Sequence, residues 1–267
     1  MIQNNPSIEV IVDLTNPGQF FACCGLLELA DRLWPGSKGW FEGDRFLIET
    51  DGELTQLIEK LSRVELIQID PDDQTSSPIR IGAPFRELIL DWWKDVRSGG
   101  ADLKVWAGTM ESCRIAKSMR KALGDRRFHT SDLLNIGVIT YDVDNESKKV
   151  EPFYFDARRC PNAHSRDVGF SPNDLHMTTT AYPAVELLCL VGLQRFRPKA
   201  FPNNDRKYLF EYQAWLKPIP PSIGQAAASG AIPGDSDRRF RFENWYRTGQ
   251  KKHMAFRSAL PIFSRGE

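Results

Sequence analysis

Two segments near the start of the chain show opposite hydrophobic patterns. Ile8 to Leu14 alternates apolar and polar side chains and is rich in β-branched residues, which predicts a strand. Gln19 to Trp34 is a long apolar run that predicts a helix, because Asn16 can cap it and Pro17 suits its first turn. Pro35 follows directly and ends the helix. The chain therefore opens with a strand followed by a helix.

Strand and helix patterns continue to alternate over the next sixty or so residues. The predicted elements are a turn and strand over Gly39 to Thr50, an amphipathic helix over Glu53 to Arg63, a strand over Val64 to Ile69, a short strand over Ile79 to Ile81 and a helix over Phe85 to Val96. The first three of these elements complete a β-α-β-α-β unit. A polar loop over Asp70 to Pro78 follows that unit.

The pattern changes after a break at Ser98, Gly99 and Gly100. Beyond it we predict a strand over Leu103 to Gly108, helices over Glu111 to Leu123 and Pro183 to Phe196, strands over Ile136 to Tyr141 and Val150 to Phe155, a loop over Ser222 to Asp237 and a strand over Arg238 to Tyr246. These elements predict an α+β fold with an N-terminal β-α-β-α-β unit, central helices and a mainly β C-terminal part. The break divides two lobes, 1–98 and 99–267, or lies within one continuous domain.

Charge is distributed unevenly, although the chain carries 35 basic and 35 acidic side chains. Residues 1–99 hold 17 acidic and 9 basic side chains, whereas residues 195–267 hold 14 basic and 6 acidic ones. This asymmetry predicts that the C-terminal part faces an acidic partner. That partner is either a nucleic acid or the acidic N-terminal part of the same chain.

Several classes of protein are disfavoured by what the sequence lacks. There is no P-loop, no GxGxxG, no GxSxG and no HExxH motif, which argues against nucleotide hydrolysis and the common hydrolases. The five cysteines are odd in number and have no CxxC spacing, which favours a reducing cytoplasm. Because no leader pattern and no run of about 18 apolar residues occurs, we expect a cytoplasmic protein with no membrane partner.

Three groups of basic residues are candidate nucleic-acid-binding sites. The first group follows a predicted strand and comprises Arg158, Arg159 and Arg166. The second forms a stripe on a predicted helix and comprises Arg114, Lys117, Arg120 and Lys121. The third mixes positive charge with aromatic side chains and comprises Arg238, Arg239, Arg241, Arg247, Lys251 and Lys252. Arginine forks onto phosphate oxygens and, like aromatic rings, stacks on exposed bases.

The third group also has a structural interpretation. In the third group, Phe240, Phe242 and Trp245 alternate into a core while the arginines are solvated or pair with N-terminal acids. For the first group, we expect Arg158 and Arg159 to face outward at a strand end and to contact a phosphate backbone.

Carboxylates provide the alternative for Arg158 and Arg159. Asp156 or Asp167 could pair with these arginines and leave no guanidinium fork for phosphate.

Candidate metal ligands are few. Cys160, His164 and His176 lie in one loop and offer three of the four ligands that a structural zinc site takes. Asp142 and Asp144 occupy a predicted hairpin turn, where aspartate favours local hydrogen bonds. A loop whose polar side chains satisfy its own backbone is the alternative to zinc. We expect neither a metal nor another cofactor.

Two segments resemble a known family. They are the run from Asn16 to Trp34 (NPGQFFACCGLLELADRLW) and the run from Tyr182 to Pro198 (YPAVELLCLVGLQRFRP). Both are similar to a CRISPR-associated family of type I-U systems, also called I-G, whose members are large-subunit-like or accessory components of the Cascade-type interference complex. The stretches PFYFDARR, 152–159, and DVGFSP, 167–172, fit the same resemblance.

The resemblance implies a non-catalytic subunit of an RNA-guided effector complex that serves antiviral defence. Its partners would be CRISPR RNA, target DNA and the other effector subunits, and its task would be to help hold guide or target. At 267 residues the chain is short for a large subunit. In such assemblies base pairing carries the sequence specificity, so the protein needs Arg, Lys and polar loops more than an active site.

Two other functions compete with this one. The first is a metal-dependent nuclease that would use Asp142, Asp144, Asp156, His164 and Asp167. The second is a protein-interaction subunit without direct nucleic-acid contact.

Overall fold

The computed structural model describes residues 6–160, 180–201, 208–232, 238–247 and 253–263. Within these ranges the helices are α1 (Pro17–Leu33), α2 (Leu54–Arg63), α3 (Ser112–Ala122), α4 (Pro183–Arg195) and α5 (Gly224–Ala228). The strands are β1 (Ile8–Ile11), β2 (Lys38–Glu42), β3 (Arg45–Glu49), β4 (Leu66–Gln68), β5 (Ile79–Ile81), β6 (Leu88–Leu90), β7 (Lys199–Phe201), β8 (Leu209–Gln213), β9 (Arg239–Tyr246), β10 (Met254–Phe256) and β11 (Leu260–Ile262). The predicted α+β class is confirmed.

Helix α1 begins where the sequence predicts. The Oδ1 atom of Asn16 accepts a hydrogen bond from the backbone N–H of Gly18 at 3.1 Å, and Pro17 stands at the first helical position. The helix is buried continuously from Pro17 to Ala30, so it has no solvent-facing side over that length. Such a helix lies at the centre of a fold, with other elements packed around it.

Helix α4 is the principal partner of α1. It is buried from Pro183 to Leu193. A Cβ atom added at Gly25 would overlap the carbonyl oxygen of Leu188, and one added at Gly192 would overlap the carbonyl oxygen of Phe21. The two backbones therefore meet directly at a pair of glycines, one from each helix.

Three antiparallel sheets surround this helix pair within the described residues. Their strand orders are β1-β3-β2, β4-β5-β6 and β10-β9-β8-β7, with β11 also paired to β9. The C-terminal sheet packs on α1 through aromatic rings: Phe20 stacks on Tyr212 with 4.4 Å between ring centroids, and Phe21 lies 6.4 Å from Phe242. One hydrophobic core therefore includes residues from both sides of Gly99.

The predicted β-α-β-α-β opening differs from the observed one. The segment from Gly39 to Thr50, predicted as a turn and one strand, lies within the hairpin of β2 and β3, because Gly43 adopts a φ of +60° that permits a tight turn. The strand β4 joins a different sheet, with β5 and β6. The predicted helices α2 and α3 and the strand β9 are confirmed.

The predicted helix over Phe85 to Val96 is wrong. Arg86 has a φ of +51°, which a right-handed helix does not allow, and the segment forms β6 and a single 3₁₀ turn. Trp92 is fully buried, and its indole N–H donates to the carbonyl of Leu190 at 2.9 Å. Tertiary packing of a tryptophan has overridden the local helical pattern.

Four further predictions need correction. The strands predicted over Leu103 to Gly108, Ile136 to Tyr141 and Val150 to Phe155 form no ladder, and only isolated bridges such as Val138 with Ala181 occur there. The loop predicted over Ser222 to Asp237 contains α5.

No helix of the described residues has the length and apolarity that crossing a bilayer requires.

All five cysteines are buried and none forms a disulfide. Burial raises the pKa of the thiols of Cys23 and Cys24 on α1 and of Cys189 on α4 well above the ordinary value. These side chains act as small apolar residues of the helix contact.

A buried polar cluster ties residues 154–157 to both central helices. Both carboxylate oxygens of Glu186 on α4 accept backbone hydrogen bonds, from Tyr154 at 3.0 Å, Phe155 at 3.3 Å and Asp156 at 3.2 Å. The side chain of Asn16 donates to Asp156 at 3.1 Å and accepts from the backbone N–H of Ala157 at 3.1 Å. In a strand, the backbone N–H groups of residues 154–157 would donate to a neighbouring strand. Here they donate to the side chains of Glu186 and Asn16 instead.

Glu186 is fully buried, and its charged form is disfavoured. Loss of hydration, followed by the nearby charge of Asp156, raises its pKa to about 8, although the backbone hydrogen bonds oppose that rise. At neutral pH this side chain is therefore mainly a neutral carboxylic acid inside the core.

The glycine contact between α1 and α4 predicts that Gly25→Ala and Gly192→Ala each lower the free energy of unfolding by at least about 2 kcal/mol, because a methyl group would force the helices apart. Helix propensity alone would favour alanine at both positions. Urea unfolding measures the change. Gly82→Ala is the control, since the atom nearest to an added Cβ there is 3.9 Å away. Equal effects at all three sites would contradict the close contact.

The buried carboxyl group of Glu186 predicts a fall in stability as the pH rises. Its folded-state pKa of about 8 lies above the ordinary value of 4.5, so the folded protein binds more protons between these pH values and loses stability as they dissociate. Glu186→Gln removes that proton, and its free energy of unfolding should vary less between pH 5 and pH 8. Glu146→Gln, at an exposed carboxylate, should keep the wild-type slope.

Candidate nucleic-acid interface

The strand β9 places basic and aromatic side chains on the outer face of the C-terminal sheet. Phe240 and Phe242 point inward, where Phe240 stacks on Tyr212 at 5.4 Å and Phe242 stacks on Phe210 at 5.4 Å. The alternate residues point outward, and they are Arg239, Arg241, Glu243 and Trp245. Trp245 is 38% exposed, so it does not join the two phenylalanines in the core.

Strand register brings side chains from neighbouring strands to the same face. Arg241 pairs across β9 and β8 with Glu211, which pairs in turn with Lys199 on β7. Leu209 lies between Glu243 and Phe201 in the same way. We call this surface the outer sheet face; its members are Lys199, Phe201, Leu209, Glu211, Gln213, Arg239, Arg241, Glu243 and Trp245, joined by Arg257 beyond β10.

Glu211 organises two of the arginines on this face. Its side chain is buried, and its two oxygens accept hydrogen bonds from Arg239 Nη2 at 3.0 Å and from Arg241 Nε at 2.8 Å. The arginine side chains keep 38% and 45% of their surface exposed. One carboxylate thus holds two guanidinium groups side by side while part of each arginine side chain stays exposed.

Positive charge on this face lies beside aromatic rings. The Cζ atom of Arg257 lies 5.4 Å from the ring centroid of Trp245, and that of Arg241 lies 5.5 Å from the ring of Phe201. Arg257 also pairs with Glu243 at 3.1 Å. Four cations and two carboxylates leave the outer sheet face with a net positive charge. Rings and cations in alternation suit unpaired bases and the phosphates between them.

The stripe on α3 is engaged in internal contacts. Arg114 pairs with Asp142, and with Glu111 at 3.3 Å; Lys121 pairs with Glu146 at 2.9 Å. Arg120 donates to the carbonyl of Val64 at 2.6 Å, and Lys117 is half-buried. The predicted division of α3 into a basic and an apolar side is present, because Ile115 and Met119 are buried. Arg114 and Lys121 therefore lie in separate local ion pairs, and Arg120 is bound to a backbone carbonyl.

Arg158 lies at the end of the buried polar cluster. It donates from Nε and Nη2 to Asp156, from Nη1 to Asn135 at 2.8 Å, and from Nη2 to the carbonyl of Leu134 at 2.8 Å. Its Cζ atom lies 3.6 Å from the ring centroid of Tyr182. The structure therefore has the pairing with Asp156 that was the alternative to phosphate contact, and a phosphate contact by Arg158 stays a prediction.

The other members of the predicted set have varied surroundings. Arg159 is half-buried, and Arg238 donates to the carbonyl of Gly43 at 2.6 Å. Arg247 is only 6% exposed and lies over the ring of Tyr154. Outside the described residues lie Arg166, Lys251, Lys252, His164, His176 and Asp167.

Candidate metal ligands do not converge in the part of the chain that the structure describes. No group of three His, Cys, Asp or Glu side chains is found there. Asp142 and Asp156 each hold an arginine, and Cys160 is buried. The zinc hypothesis depends on His164 and His176 and stays a prediction.

Sequence patterns did not single out seven members of the outer sheet face: Lys199, Phe201, Leu209, Glu211, Gln213, Glu243 and Arg257. The segment from Tyr208 to Trp215 carries a strand signal, and strand period would have placed Glu211 on one face with Leu209. Whether Glu211 lies beside Arg241 depends on the register between β8 and β9, and the sequence of one strand alone does not specify that register.

Comparison with protein-family models, with curated proteins and with solved structures finds no match for this chain.

The contacts of Arg158 predict a structural role that can be measured. Arg158→Ala leaves the fully buried carboxylate of Asp156 without its cation, so the free energy of unfolding should fall by about 3–5 kcal/mol. Arg127→Ala is the control, because its pair with Asp125 is exposed and contributes little to stability. Chemical unfolding of the two variants gives both values. An effect of Arg158→Ala no larger than that of the control would contradict the structural role.

Proposed function

We propose that the chain is a non-catalytic subunit that binds single-stranded nucleic acid on its outer sheet face, within an RNA-guided type I CRISPR effector complex. The observation that carries the proposal is the exposed ring of Trp245 beside Arg257, on a face that also presents Arg239 and Arg241. This combination supplies a stacking surface and phosphate contacts together. Neither requires a reaction at the site.

The chemistry of such a face suits a guide RNA or a displaced single strand of the target DNA. Stacking tolerates every base, because each base has a π-face, and guanidinium groups follow the backbone whatever its sequence. In an RNA-guided assembly the base pairs carry the specificity, so a sequence-tolerant surface is sufficient. The resemblance of the α1 and α4 segments to a type I-U family supports this setting for the chain.

The same face explains why binding by the isolated chain should be weak. Glu211 and Glu243 offset two of the four cations, and the whole chain carries no net charge. Each phosphate contact that remains contributes little alone, and other subunits would add theirs in the complex. A protein-interaction subunit, the competing function, would use the face against an acidic protein instead.

Two variants separate stacking from phosphate contact. Trp245→Ala should weaken binding of a single-stranded oligonucleotide by about five- to 100-fold without changing the salt dependence, because stacking contributes about 1–3 kcal/mol per base. Arg241→Gln should reduce the slope of log affinity against log salt by about 0.7, because one phosphate contact is lost. Fluorescence anisotropy over a series of salt concentrations that begins at low salt measures both for the chain alone, and co-purification with effector subunits tests the assembled state.

Arg45→Gln is the matched control, since Arg45 pairs with Glu9 on the N-terminal sheet and is half exposed. It should bind as the wild type does. Binding that is indifferent to Trp245 and Arg241 would contradict the proposal. Metal-dependent cleavage of the oligonucleotide, lost in Asp156→Ala/His164→Ala, would favour the nuclease instead.

A further inference from the structure

Arg247 is a buried cation that has no carboxylate partner among the described residues. Its side chain is 6% exposed, and its Cζ atom lies 3.5 Å above the ring centroid of Tyr154. Its Nη2 atom contacts only the sulfur of Met110, at 3.7 Å, and its Nε atom has no hydrogen-bond partner there. A stacked ring stabilises a guanidinium group only in part.

Such an arrangement is unfavourable by itself. A buried charge normally keeps its charge only when it is paired and hydrogen-bonded, and arginine does not lose its proton in proteins. Several half-buried arginines follow this rule: Arg158 has Asp156, Arg114 has Asp142 and Arg197 has Asp95. The half-buried Arg120 and Arg159 also have an Nε atom without a hydrogen-bond partner, but Arg247 is the one arginine of the described residues that is buried. Arg247 therefore combines burial with the absence of a carboxylate partner among the described residues, and an external anion would supply the missing negative charge.

Among the described residues, a second guanidinium group lies near Arg247. Burial raises the pKa of Cys160, whereas the guanidinium groups of Arg257 and Arg247 oppose that rise, so both charges lie near the same sulfur atom. The nearby carboxylates are already engaged: Glu243 pairs with Arg257, and Glu151 accepts from the hydroxyl of Tyr154 at 3.2 Å.

The ring beneath Arg247 is held in place by strained backbone. Tyr154 has a φ of +80°, a conformation that is unfavourable for a non-glycine residue. Its N–H donates to the carboxyl group of Glu186, and its carbonyl accepts from Phe256 at 3.2 Å. The core therefore holds the backbone of Tyr154 through both its N–H and its carbonyl group, and strain of this kind clusters at ligand sites.

Arg247 also continues the outer sheet face. Its N–H donates to the carbonyl of His253 at 2.7 Å, which extends the pairing of β9 with β10 by one residue. Because side chains alternate along a strand, Arg247 follows Trp245 on the same face, about 7 Å further along.

We infer that Arg247, stacked on Tyr154, is a phosphate-binding site that takes one backbone phosphate of the strand whose bases stack on Trp245. The identity of the phosphate as part of a nucleic acid rests on the proposed function; the anion site itself rests on the burial and the unpaired nitrogen of Arg247.

Inorganic phosphate is the probe for the anion site. The melting temperature of the whole chain is measured in phosphate and in chloride of equal ionic strength. Phosphate should raise the melting temperature of the wild type, because it binds only the folded state. It should also raise that of Arg127→Gln, a control that removes an exposed arginine from its pair with Asp125.

Two variants of Arg247 test the assignment. Arg247→Met keeps the apolar stem over Tyr154 and should fold, since it removes an unpaired buried charge. Its affinity for phosphate should be at least tenfold weaker. Arg247→Lys keeps a charge without the planar fork and should lie between Met and the wild type. No phosphate response in the wild type, or an undiminished response in Arg247→Met, would overturn the inference.

A single-stranded oligonucleotide distinguishes the two proposals. If it raises the melting temperature and removes the further response to inorganic phosphate, the site takes a nucleic-acid phosphate. If phosphate stabilises the wild type but the oligonucleotide does not, the anion site is supported and the proposed function is contradicted. If the oligonucleotide binds through Trp245 while phosphate has no effect, the outer sheet face is supported and this inference fails.

Discussion

The direct backbone contact between α1 and α4 is the constraint on which the other parts of the fold depend. Gly25 and Gly192 allow each helix to approach the carbonyl groups of the other, and no side chain larger than hydrogen fits at either position. The outer surfaces of the pair then carry everything else: the C-terminal sheet lies on Phe20 and Phe21, and Glu186 on α4 reaches the segment that bears Tyr154. The position of the outer sheet face is therefore set by a contact in the centre of the molecule.

Buried carboxyl groups decide which arginines are available on the surface. Asp156, together with Asn135 and the carbonyl of Leu134, engages all three nitrogen atoms of the Arg158 guanidinium group, whereas Glu211 holds two arginines and leaves part of each exposed. Arg247 has no such partner among the described residues. Counting basic residues in a sequence treats all of these as equal, but their capacity to bind an anion depends on the acids around them.

The sequence predicts the elements whose signals are local. The cap at Asn16, the apolar runs of α1 and α4, and the alternation along β9 are all legible within one segment. The segment from Val150 to Phe155 has a strand pattern but forms no ladder, because a distant carboxyl group on α4 satisfies its backbone. The stacking of Arg247 on Tyr154 likewise joins residues far apart in the chain, and no local pattern indicates it.

The burial of the five cysteines makes the native protein a natural reporter of its own opening. Cys23, Cys24 and Cys189 lie at the contact of α1 with α4, where a thiol reagent reaches them only when that contact separates. The labelling rate in native buffer would then measure the free energy of opening at the centre of the fold. The same burial leaves the surface without reactive thiols among the described residues, so a single cysteine introduced beside Trp245 would accept a spectroscopic or cross-linking probe selectively.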